Sequence, residues 1–182
     1  YMCSKDKLFH NGYYMRVDVK PVEYIPVKKM LPSYEFGENS YKYLDMMTAL
    51  CKENEVELVL IKAPTLYPVW YDEWDEQMVA YAKENGLHYF NYIELAEDAG
   101  IDFSADTYDA GLHLNLSGAE KLTTYFGKFL AENFDIEDRR DNSVYNKAWR
   151  EKSAFYYSME AQQIKDLAEY GKIMTYGQVA ED

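Results

Sequence analysis

A short apolar run, Val56 followed by Leu58-Val59-Leu60-Ile61, stands between two stretches of helical periodicity, and this alternation leaves few folds open to the chain. Before it, from Glu38 to Asn54, Tyr43, Met46, Met47, Leu50 and Cys51 recur every three or four residues, which predicts an amphipathic helix that buries them. The run itself stops at Lys62-Ala63-Pro64 and predicts a strand covered on both faces. Asp72 to Asn85 then predicts a helix with Trp74, Met78, Tyr81 and Ala82 on its inner side and Gly86 as its stop, and Leu87 to Asn91 a second strand. Strand, helix and strand at this spacing form a βαβ unit. Its strands run parallel, and open parallel sheets gather their sites at the carboxyl ends of strands, so the loops after Ile61 and Asn91 are expected on one rim.

The remaining chain is read around this unit. Residues 1–36, with Pro21, Pro26 and Pro32, lack sustained periodicity and predict an irregular or hairpin-like lead-in. After a polar stretch from Glu97 to Asn115, Ser117 as N-cap and Glu120 three residues on predict a capping box. The helix that follows carries Leu122, Tyr125, Phe126, Phe129 and Leu130 on one stripe. Beyond a charged break at Asp135 to Asp141, Ser143 to Tyr170 predicts a last helix with Trp149, Phe155, Tyr156, Met159 and Ile164 free to pack, and no preference emerges after Gly171. At 182 residues the expectation is one α/β domain, with a core over 38–134 and a helical extension over 141–170.

Charge excludes some partners. With 32 acidic against 19 basic side chains the net charge is −13, which disfavours nucleic acid and anionic membranes, since both select a positive surface. No apolar run approaches the roughly 18 residues of a membrane span. Cys3 and Cys51 are too few and too far apart for a disulfide framework or a metal knuckle.

Chemistry concentrates in the stretch from Asp106 to Ala119, which joins carboxylates, an imidazole and a helix start. A carboxylate beside a histidine fixes its tautomer and stabilises the imidazolium formed on proton abstraction, so Asp109 and His113 are candidates for an oriented general base, with Asp106 a second candidate for the carboxylate. The plain alternative is a structural histidine near a helix start. Asp106, Asp109 and His113 are also the residue types of a zinc or manganese site, but no second histidine at ligand spacing accompanies them. His10 and His88 read as surface or packing residues. Trp70 and Tyr71, just past the loop after Ile61, are candidates for stacking on a sugar ring, and packing of the next helix is the alternative for Trp74.

The run Asp109 to Ala119, with His113-Leu114-Asn115 and then Ser117-Gly118-Ala119, resembles the last sequence block of the SGNH (GDSL-like) hydrolases. It is closest to a bacterial branch linked to acylation of cell-envelope polymers, and Leu58 to Thr65 resembles that branch's central strand and following loop. The likeness covers roughly Lys42 to Leu130. It implies a flavodoxin-like three-layer α/β/α sandwich with a mostly parallel sheet, no cofactor, an extracytoplasmic setting and an acylated carbohydrate or small ester as substrate. It also implies a serine nucleophile activated by His113 and Asp109, with Asn115 and Asp106 near the substrate. Two departures stand out. The aspartate lies four rather than three residues before the histidine, with Gly111 placed to absorb the extra residue as a bulge. The family's Gly-Asp-Ser motif is absent, and Ser4, Ser40, Ser104 and Ser117 do not replace it. The expectation is therefore either a nucleophile encoded upstream of Tyr1 or a non-catalytic carbohydrate-binding relative.

Overall fold

The computed structural model describes residues 14–25 and 27–170; Cys3, Ser4, His10, Pro26 and the tail after Gly171 lie outside them. The fold is mixed α/β, in the order α1 (Glu38–Glu53), β1 (Val59–Lys62), α2 (Asp72–Asn85), β2 (His88–Asn91), α3 (Leu116–Asn133) and α4 (Ser143–Tyr170). The described residues form two compact units, one of 23–99 and one of 14–22 with 100–170.

The 23–99 unit is the expected βαβ element. β1 and β2 pair in parallel, Val59 opposite His88 through Lys62 opposite Asn91. α2 ends at Gly86, whose φ of 67° is the left-handed cap that glycine adopts without strain. Leu60, Tyr81 and Ala82 are buried together, with Tyr41, Leu44, Leu58, Met78, Leu87 and Tyr89 packed around them. Two expectations are corrected. β1 is not covered on both faces: Leu60 is buried but Ile61 is 45% exposed, because side chains alternate along a strand and α1 and α2 supply the core against only one of its faces. The face of α1 is also turned. Tyr43, Met46, Met47 and Leu50 are exposed and Cys51 is half-buried, whereas Tyr41, Leu44 and Thr48 face inward. A hydrogen bond from Thr48 Oγ1 to Tyr81 Oη (3.0 Å) and one from Tyr81 to Asp45 (3.0 Å) select that face over the more apolar one.

The lead-in belongs to both cores. Gln77 of α2 clamps its second half: its Oε1 accepts from Phe36 N (2.9 Å) and its Nε2 donates to Tyr34 O (2.9 Å). In the other unit Met15, Val17 and Leu116 form a buried cluster under Tyr156, Met159, Ile164 and Leu167 of α4. Gln163 of α4 lends Oε1 to Val17 N (3.2 Å) and Nε2 to Met15 O (3.1 Å), doing for this extended segment what a neighbouring strand would do. Trp149 and Phe155, expected to pack, are exposed.

α3 starts two residues earlier than the sequence suggested. Its N-cap is Asn115, not Ser117: the Asn115 side chain accepts from Gly118 N (3.1 Å). Asparagine wins because the site also needs donors. Its Nδ2 reaches Ala105 O (2.8 Å) and Asp18 O (3.3 Å), two acceptors that one serine hydroxyl could not serve together. Gly118 is required by space, since a Cβ there would lie 2.6 Å from Asp106 O and 2.9 Å from Asp106 Cβ. Gly118→Ala is expected to cost about 1–3 kcal/mol, as overpacking against backbone does. A denaturant midpoint unchanged from wild type would contradict this contact.

Candidate functional site

The candidate site is a loop closed at its base and built around a left-handed turn. Thr107 and Leu114 form an antiparallel bridge, and Asn115 N donates to Asp106 O (2.9 Å), so residues 108–113 project as one turn. Lys20 ties the loop to the extended segment. Its N donates to Thr107 O (2.8 Å), while its carbonyl accepts from Thr107 Oγ1 (2.8 Å) and Ala110 N (3.1 Å). Ala110 and Gly111 have φ of 62° and 96°, the region that favours glycine, and this consecutive left-handed pair turns the chain back on itself. Gly111 thus takes a backbone angle that glycine adopts without strain, with Ala110 sharing the turn.

The turn brings Asp109 to His113. Asp109 Oδ1 accepts the His113 backbone N–H (2.7 Å), and Oδ2 lies 2.6 Å from Nδ1. A carboxylate at Nδ1 leaves Nε2 as the nitrogen able to take a proton, and the His113 side chain is 59% exposed. Its ring is further held by Tyr108, stacked at 5.7 Å with planes 9° apart, and the Arg16 guanidinium lies 4.8 Å from the Tyr108 centroid. Arg16 is fixed by two bonds to buried Asp18, at 2.6 and 2.5 Å, which hold its pKa well above the ordinary value and keep it charged. Burial, then Asp109, raises the Tyr108 phenol, so it stays neutral where an imidazole titrates.

Asp106 and Asn115, expected near the substrate, have a different job. Both are fully buried. Asp106 Oδ2 accepts from Lys121 Nζ (2.7 Å) and Asp102 N (2.7 Å), tying the loop base to α3, and Asn115 is the cap and clamp described above. Asp109 rather than Asp106 is therefore the carboxylate on His113. Among the described residues no three His, Cys, Asp or Glu side chains gather to hold a metal ion, so Asp106, Asp109 and His113 do not assemble as ligands. Ser104 Oγ is engaged with Asp102 Oδ1 (2.6 Å), and Ser104 holds the Asp102 carboxyl below its ordinary pKa through this bond and its backbone N–H.

Trp70 and Tyr71 belong to the other unit. Tyr71 is buried, donates to Lys29 O (2.9 Å) and packs edge-on against Trp74, which withdraws it from any role as a sugar platform. Trp70 is half-buried at the carboxyl end of the sheet, its Nε1 donating to Asp75 Oδ1 (3.1 Å), an oxygen shared with Tyr89 Oη (2.6 Å) and Asn91 Nδ2 (2.9 Å). The Lys62 ammonium lies 5.4 Å from its ring centroid and donates to Ala63 O (2.9 Å).

Burial lowers the Lys62 pKa, and the sign of its pH effect follows. Below its folded pKa the protonated amine carries a desolvation cost. That cost is relieved as pH rises through the folded value toward the unfolded value of about 10.4, so stability from this group rises across that window. Lys62→Met is expected to raise the melting temperature at pH 7 and to remove the alkaline rise; a lower melting temperature with the rise intact would contradict it.

No family model, curated protein or solved structure matches this chain. The residues that reasoning from the sequence missed are Arg16, Asp18, Tyr108 and Lys121. The alternation of Met15, Val17 and Val19 was the available signal for a buried extended segment.

Proposed function

We propose that the chain handles acyl groups in the manner of an SGNH-type esterase or O-acyltransferase, with His113 as general base and Asp109 as the carboxylate that orients it. The observation that carries this is the double contact of Asp109 with His113, through its backbone N–H and through Nδ1, on a side chain that is 59% exposed. The sequence resemblance over Asp109 to Ala119 supports the same roles, and an acylated cell-envelope carbohydrate is the proposed substrate. The α/β unit with its parallel strand pair is read as part of a three-layer flavodoxin-like sandwich.

In this chemistry His113 Nε2 takes the proton from a serine hydroxyl as its oxygen attacks the acyl carbonyl. It then returns that proton to the departing sugar oxygen, leaving the acyl group on serine; water or an acceptor hydroxyl, deprotonated by the same Nε2, next takes the acyl group and the proton returns to the serine oxygen, with Asp109 stabilising the imidazolium in each half. The absence of a Gly-Asp-Ser motif favours a second reading, a carbohydrate-binding module that keeps the loop without catalysis. Turnover of a chromogenic short-chain acyl ester separates them. A rate above background that saturates with ester supports catalysis, and a folded protein with no rate on either ester or acylated glycan leaves the binding module.

A further inference from the structure

The stripe of α4 that buries Tyr156, Met159 and Leu167 continues toward its N-terminus at the same helical spacing as Tyr145, Ala148, Trp149 and Lys152. There no core lies beneath it among the described residues: Trp149 is 65% exposed and Tyr145 47%. Together with Arg139 these four side chains line a groove of about 280 Å³. Each cation rests on a ring, Arg139 at 5.1 Å from the Tyr145 centroid and Lys152 at 5.9 Å from that of Trp149. Glu137 holds Arg139 from one side at 2.9 Å. The lining contains two cations and no carboxylate, in a chain where acids outnumber bases 32 to 19.

We propose that this groove binds an anionic glycan, one whose pyranose rings carry carboxylates. Lys152 and the Nη2 group of Arg139, whose Nε and Nη1 are held by Glu137 and Tyr145 Oη, would meet the carboxylate, and the indole face of Trp149 opposite Lys152 the apolar face of the ring. The volume of about 280 Å³ lies just below the roughly 300–1,000 Å³ of ligand pockets, so it takes one residue of the chain and leaves its neighbours along the helix. An acidic peptide would meet the same two cations but has no ring to lay on Trp149, so the oligoglutamate comparison separates the two. Ala148 is the single aliphatic side chain in the lining, too little for insertion into a lipid surface. This binding stands on the groove alone and is read without any acyl ester, so its failure and the failure of His113 catalysis are separate results.

The test is titration of the protein with a hexameric oligogalacturonate, followed by the Trp149 indole N–H signal and by calorimetry. Its methyl-esterified form, an oligoglutamate and anionic phospholipid vesicles serve as comparisons. Saturable binding of the oligogalacturonate that moves the Trp149 signal, weakens at least about tenfold in Trp149→Ala and in Lys152→Glu, and is not matched by the comparisons is the expected result. No binding, binding unchanged in either folded variant, or equal or tighter binding of any comparison would overturn it.

Discussion

His113→Ala is expected to lower acyl turnover by about a hundredfold or more while leaving the fold intact, since a positioned general base contributes roughly 10²–10⁴-fold. The fold should survive because the His113 side chain is largely exposed, and the loop around it is held by backbone groups of Lys20, Thr107, Asn115 and Asp106 rather than by the imidazole. A base that works only in the transition state lowers kcat and kcat/KM together, so an effect confined to KM would speak for substrate binding instead. Asp109→Asn is expected to be impaired as well, because an amide can accept the backbone N–H of His113 yet offers no charge to the imidazolium. A folded His113→Ala protein with wild-type turnover would remove the histidine from the mechanism.

The largest effect on stability is expected at Asn115. Asn115→Ala deletes the α3 cap, worth about 0.5–2 kcal/mol, and strips partners from the carbonyls of Ala105 and Asp18, where an orphaned buried group costs roughly 1–3 kcal/mol. A loss of about 3 kcal/mol, seen as a lower denaturant midpoint at unchanged slope, is the expected outcome. Asn115→Asp discriminates between the two jobs: it restores an acceptor for Gly118 N but sets a carboxylate against two carbonyls, so it should not rescue. Ser117→Ala should stay within about 0.5 kcal/mol. If Ser117→Ala were the more damaging change, the cap would be wrongly placed.

Periodicity made most elements legible. α2 runs from Asp72 to Asn85 and stops at Gly86, α4 spans Ser143 to Tyr170, and the parallel pairing of β1 with β2 follows from the helix between them. What periodicity did not decide was which side of an element faces a core. Tyr43, Met46, Met47 and Leu50 make the more apolar face of α1, yet the hydrogen bonds of Thr48 and Asp45 to Tyr81 turn the helix the other way, a tertiary choice invisible in α1 alone. The Ser117 capping box was outcompeted for the same reason, because the acceptors that Asn115 serves come from Asp18, remote in sequence, and from Ala105. At the site, the Asp109 and His113 pairing was legible since both residues sit in one turn, and Gly111 marked where the chain had to bend. Arg16 and Asp18 were not, because their part depends on the lead-in lying along the loop, about 90 residues away in sequence.

The location of the proton on His113 tests the general-base geometry most directly. Long-range ¹H–¹⁵N spectra of the imidazole, recorded above its titration, distinguish the two neutral tautomers. The Asp109 contact predicts Nδ1 protonated and Nε2 bare, with the preference lost in Asp109→Asn. Finding Nε2 protonated in the wild type would contradict it, since that nitrogen would then have no lone pair with which to accept a proton.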